Sequence, residues 1–121
     1  MKNAGDLMGI LFLSRDVAHR VHLSTKSFAR HSALGGFYEA VIPLADTFAE
    51  VYQGRYGLIP SIPLMANKKE GNIVEFLQSQ LDEIEEGRYE VCEQKETSLQ
   101  NIIDEIVALY LQTLYKLKFL E

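Results

Sequence analysis

The chain has 121 residues, 47% hydrophobic and 24% charged, which suits one compact domain over 1–121 and excludes a two-domain protein, a disordered tail and a fibre. Twelve Lys+Arg against seventeen Asp+Glu leave a net charge of −5, which disfavours non-specific nucleic-acid binding and mildly favours cations. The single cysteine, Cys92, excludes an internal disulfide and a multi-cysteine zinc site and points to a reducing, cytoplasmic location.

Leu7, Ile10, Leu11, Ser14, Val17, Ala18 and Val21 follow helical spacing and predict helix one from about Asp6 to about Leu23. Its apolar run, Leu7 to Leu13, is far shorter than a membrane span, and the Asp6 before it and the missing small-residue cleavage site argue against a signal peptide. Ser24, Thr25 and Ser27 offer N-caps for a long helix two, with Phe28, Leu34, Phe37, Tyr38, Val41, Leu44, Ala45, Phe48 and Tyr52 as apolar positions, ending near Gly54. Pro43 removes one backbone donor inside it, which predicts a kink and allows a full break.

Gly54, Gly57, Pro60 and Pro63 mark the stretch from Gly54 to Asn67 as a crossover or functional loop. Helix three is expected from about Glu70 to Glu93, with Ile73, Phe76, Leu77, Leu81, Ile84, Tyr89 and Cys92 inward and Gly87 as a local weakness. Thr97 is the expected N-cap of helix four, whose apolar band runs from Ile102 to Leu120. Leu111 and Phe119 fall off that band and suggest a second apolar surface used in self-association. The fold class is therefore all-α: four helices with one long connection between the second and third, the wiring of a ferritin-like bundle.

All three histidines, His19, His22 and His31, fall around the junction of helices one and two. His22 reads as a cap or surface residue. Asp46 and Glu50 are four apart, so they stand one turn above each other and are able to share a divalent cation. At about 100° per residue they lie, with Glu39, well off the Phe37, Val41, Phe48 face, so they point away from their own core. That stripe reads either as a solvated acidic face or as half of a site completed by another subunit. No Glu-x-x-His pair is present, which argues against a di-iron site inside one bundle. Two imidazoles with two carboxylates suit Fe(II), Mn or Zn, with iron favoured by the fold alone.

The pattern His19-x11-His31-x14-Asp46-x3-Glu50 resembles the ferroxidase motif of the Dps mini-ferritins, the DNA-binding proteins from starved cells. Ala18, Leu34, Gly36-Phe37 and the run Asp46-Thr47-Phe48-Ala49-Glu50 share in the likeness over residues 16–52, and Ile102 to Ile106 with Leu117 to Leu120 resemble the family's last helix. The resemblance implies that His19 and His31 of one subunit face Asp46 and Glu50 of a two-fold mate. Glu50 would be a direct ligand, Asp46 and His19 would stand beside it, and His31 would hold a second metal or a water. It also implies Fe(II) oxidation by peroxide or dioxygen, storage of Fe(III), and a homo-oligomer built through two-fold interfaces, a dodecamer in that family.

Two positions depart from the family pattern: Arg20 stands where a tryptophan is usual, and Gly35 where an acidic residue is common. Only Lys2 precedes helix one, in place of a Lys-rich tail, so DNA binding is not expected. Short ferritin-like proteins of bacteriophages are similar in size. The alternative function is a non-catalytic ferritin-like structural or interaction protein, such as a phage virion or regulatory component, that assembles through its bundle faces. Tyr52, Arg55 and Tyr56 are read as packing the long loop, Cys92 as a small hydrophobe rather than a nucleophile, and Glu83, Glu85 and Glu86 as a solvated helix face.

Overall fold

In the computed structural model, which describes residues 1–66 and 72–121, four helices are found among the described residues: α1 (Ala4–Ser24), α2 (Phe28–Tyr56), α3 (Ile73–Val91) and α4 (Thr97–Phe119). Three of them start on a side-chain cap. The oxygens of Asn3, Ser27 and Asn72 accept the amides of Asp6, Arg30 and Glu75, satisfying donors that a helix N-terminus leaves free. α4 differs from expectation, because its N-cap is Glu96, which makes no side-chain cap bond, and Thr97 is already helical. The expected start of helix three at Glu70 lies outside the described residues.

The helices contact one another in a ring, α1 with α2, α2 with α4, α4 with α3 and α3 with α1. Their directions follow from particular contacts. Gln80 of α3 donates to the Ile10 carbonyl and to Ser14 of α1, while Gly87, further along, backs onto Met1, so α3 runs antiparallel to α1. Arg88 near the end of α3 bonds Gln100 and Asp104 near the start of α4. The order is therefore up, down, down, up, which leaves the end of α2 and the start of α3 at opposite ends of the bundle. The chain after α2 returns along α1, with Ser61 over Gly5 and Pro63 and Met65 over Gly9. Gly5 has no Cβ because the Ser61 carbonyl occupies that space.

This strap explains the most apolar run of the sequence. Leu7, Met8, Ile10 and Leu11 are all buried because α1 is covered by helices on one side and by the returning chain on the other. No described helix is long and apolar enough to cross a membrane.

α2 continues through Pro43 without a break. Pro43 and Glu39 are both exposed, so the Glu39 carbonyl that Pro43 fails to bond lies on the solvent-facing side of the helix, where the missing donor costs least. Leu34, Phe37, Val41, Ala45 and Phe48 of this helix are sealed in the core, as their spacing predicts. Tyr89 is a correction: it is exposed, and Arg88 lies over its ring. The contacts shown for Tyr52, Arg55 and Tyr56 are with the helices: Tyr52 lies against Phe48 and Tyr56, and Arg55 pairs with Glu96 at the start of α4.

At mid-bundle the core contains one polar cluster. The Tyr110 hydroxyl donates to Ser14 Oγ at 2.7 Å, and Gln80 reaches the same oxygen, so α1, α3 and α4 are tied together where apolar contact alone would let them slide. Burial pushes the Tyr110 hydroxyl well above the usual tyrosine pKa, with the Ser14 bond opposing it, so it stays a neutral donor.

Candidate functional site

The turn between α1 and α2 sets the histidines. His22 and His31 stand nearly equidistant from the turn centred between Lys26 and Ser27, so the antiparallel helices bring them face to face. Their rings stack at 3.7 Å with planes 18° apart. Nδ1 of His22 is 2.5 Å from the His31 carbonyl oxygen, and Nδ1 of His31 is 2.8 Å from that of His22. A carbonyl only accepts, so both Nδ1 atoms carry a proton, and Nε2 is the nitrogen of each ring that faces away from these bonds.

One turn earlier on α1, His19 stacks on Tyr38 of α2, with centroids 4.2 Å apart and planes 14° apart. His22 meets the same ring edge-on at 5.2 Å, and the Arg15 guanidinium lies 5.6 Å from its centroid. Tyr38 therefore organises the cluster, although its sequence spacing marks it only as an apolar position. His22 likewise is a partner of His31 rather than a cap, a role signalled by its mirror position about the turn.

Gly35 lies beneath the His22 ring, and a Cβ there would stand 3.1 Å from Cε1. Arg20 does not enter the cluster, because its Nε bonds Asp16 at 2.8 Å on the surface of α1.

Asp46 and Glu50 are exposed on the outer face of α2, as is Glu39, in agreement with the helical-wheel expectation. Among the described residues neither Asp46 nor Glu50 enters an ion pair. The histidines and the carboxylates are not brought together within one chain. His31 and Asp46 are fifteen residues apart on one continuous helix, which at a 1.5 Å rise is about 22 Å. Accordingly, no group of three or more His, Cys, Asp or Glu among the described residues is placed to hold a metal ion.

At the opposite end of the bundle, Cys92 is buried and Gln100 Nε2 donates both to its carbonyl and to its Sγ. Burial pushes the thiol up, Gln100 and Arg88 oppose this, and Glu96 adds to it, so the group stays a thiol rather than a nucleophilic thiolate.

Residues 22–117 match a family described as "Family of unknown function (DUF5856)". The chain belongs to that family. The matched DUF5856 region takes in His22, His31, Asp46 and Glu50 and begins after His19. The chain is also 29% identical over 116 residues to an uncharacterized 14.6 kDa protein from the mobD-ri intergenic region of Enterobacteria phage T4, covering 94% of this chain and 87% of the relative. This similarity supports a phage-encoded origin. No solved structure matches the chain.

Proposed function

We propose that this DUF5856 chain is a mini-ferritin of the Dps type, in which His19 and His31 of one subunit meet Asp46 and Glu50 of another and oxidise Fe(II) between them. The observation that carries the reading is the separation itself: two carboxylates one turn apart face outward from α2, about 22 Å along the helix from His31. Neither half is a site alone, and each has the donors that the other lacks. The up, down, down, up order with its bundle-length connection is the wiring of ferritin-like bundles and supports the same reading.

Fe(II) is the substrate. The bond from His31 Nδ1 to the His22 carbonyl supports this role, because a metal-binding histidine characteristically donates its other N–H to a carbonyl. Asp46 and Glu50 supply the hard oxygen donors that favour Fe(III) as product. Two Fe(II) ions each give up one electron, and one hydrogen peroxide takes both electrons with two protons to become two waters.

The test is ferric absorbance after peroxide is added to protein loaded anaerobically with Fe(II), with particle mass followed by light scattering. An assembled wild type with rapid oxidation, and a Glu50→Ala variant of equal helicity that has lost it, are expected. A Glu50→Ala chain oxidising iron at the wild-type rate overturns the assignment.

A second reading, a phage bundle that assembles without iron chemistry, is favoured by the way the imidazoles satisfy one another and Tyr38. Under it, the wild type assembles but leaves Fe(II) oxidation no faster than buffer does.

A further inference from the structure

α4 has two apolar faces. One, with Ile103, Ile106, Tyr110, Leu114 and Leu117, is sealed against α2 and α3. The other holds Leu111, Tyr115 and Phe119 at four-residue steps, and these large side chains are 52%, 55% and 71% exposed. A stripe of this kind on the outside of a soluble helix needs a partner.

The charges beside the stripe identify the partner. At about 100° per residue, Lys118 flanks it on one side and Glu105 and Lys116 on the other, while Asp104 falls on the stripe itself between Leu111 and Tyr115; all four are exposed. The acids lie toward the N-terminal half and the lysines toward the C-terminal end. The helix dipole accounts for lysines in the last turn, but Asp104 and Glu105 stand about two turns inside the helix, beyond its reach.

Reversing the helix about Leu111 brings Lys118 level with Asp104 and Lys116 within one residue of Glu105. In an antiparallel two-fold pair each flank meets the same flank of its mate, so the Glu105 and Lys116 side becomes acid-against-lysine, and Asp104 on the stripe comes level with the mate's Lys118. The same reversal sets Tyr115 within one residue of the small Ala108, and Leu111 on its own copy. A parallel pair would set acid beside acid.

We propose that the outer face of α4 binds the same face of a second copy of this chain, antiparallel, about a two-fold axis at Leu111. Asp104 is already held by Arg88 at 2.6 Å, so Glu105 with Lys116 is the flank that sets the register. The contact uses α4 and is independent of the α1–α2 face on which the iron reading depends, so either stands if the other fails.

The test uses the full chain. Leu111→Cys sits on the axis and is expected to form a disulfide-linked dimer on mild oxidation, whereas Asn101→Cys, whose mate would be about 30 Å away, is not. Cys92 is buried and does not compete. In sedimentation, Glu105→Lys is expected to weaken self-association about tenfold by setting lysine against lysine, and adding Lys116→Glu to restore it. All four substitutions are at exposed positions, and circular dichroism checks that the helices are intact. A Leu111→Cys chain that cross-links no faster than Asn101→Cys, or a double charge swap that stays as weak as the single one, overturns the proposal.

Discussion

Gly35 and His22 fill one volume: a Cβ on Gly35 would stand 3.1 Å from Cε1 and 3.3 Å from Nδ1 of the His22 ring. The ring has little room to retreat, because it is stacked on His31 and bonded to the His31 carbonyl. An alanine inside a helix ordinarily gains up to about 1 kcal/mol over glycine. At Gly36, which has nothing within 4 Å of the added atom, that gain is expected in full. Gly35→Ala is expected to lose about 1 kcal/mol instead, by crowding the ring. Urea unfolding of the two variants beside the wild type checks this, and equal gains at both positions would show that the His22 ring is not held.

Gly35 is thus explained by the histidine clasp of this chain.

The Ser14–Tyr110 hydrogen bond makes an asymmetric prediction. Ser14→Ala leaves the buried Tyr110 hydroxyl without its acceptor and is expected to cost about 1–3 kcal/mol. Tyr110→Phe removes the donor but leaves Ser14 Oγ accepting from Gln80, so its cost is expected to be smaller. Chemical denaturation orders the two, and a larger loss for Tyr110→Phe would reverse the argument.

Tyr110 also predicts an alkaline limit. Its folded-state pKa is raised by burial above the ordinary value of 10.0, so its contribution to stability is complete below that pH and is lost as pH rises above it. Urea midpoints measured into the alkaline range should fall, and Tyr110→Phe should flatten the fall. An unchanged slope in the variant would mean that other groups account for it.

The proposed intersubunit iron site predicts complementation. A chain with His19→Ala and His31→Ala and a chain with Glu50→Ala should each be inactive toward Fe(II). In assemblies refolded from equal amounts of both, about one quarter of the sites in two-fold pairs combine intact histidines with intact carboxylates. Recovery of ferric absorbance toward that level is the expected result, and none at all would mean that the two sets never face each other.

Cys92 should be slow to react. Buried, bonded by Gln100 and with its thiol pKa raised, it is expected to resist alkylation in the native protein and to react readily in urea. Mass spectrometry after timed iodoacetamide treatment measures both rates. Comparable rates in the two conditions would mean that this end of the bundle opens freely.

The helices and their inner faces were legible in residue order alone. Apolar residues at three- and four-residue steps bury one stripe whatever the helix meets, so Leu34, Phe37, Val41 and Phe48 in α2 and Ile103, Ile106 and Tyr110 in α4 lie where periodicity puts them. The same arithmetic turned Asp46 and Glu50 outward and placed Leu111 and Phe119 off the core. Periodicity failed at helix ends, where the cap is one local geometry among several: Glu96 replaced Thr97, and Tyr89 swung out of the core beside Arg88. Of the two outcomes open at Pro43, a kink or a full break, the break did not occur, since α2 continues through it. The cluster at the α1–α2 turn, by contrast, was not legible in residue order. Stacking of His22 on His31, of His19 on Tyr38, and the fit of His22 over Gly35 are contacts between two helices, fixed by their relative rotation, which no pattern along either helix specifies.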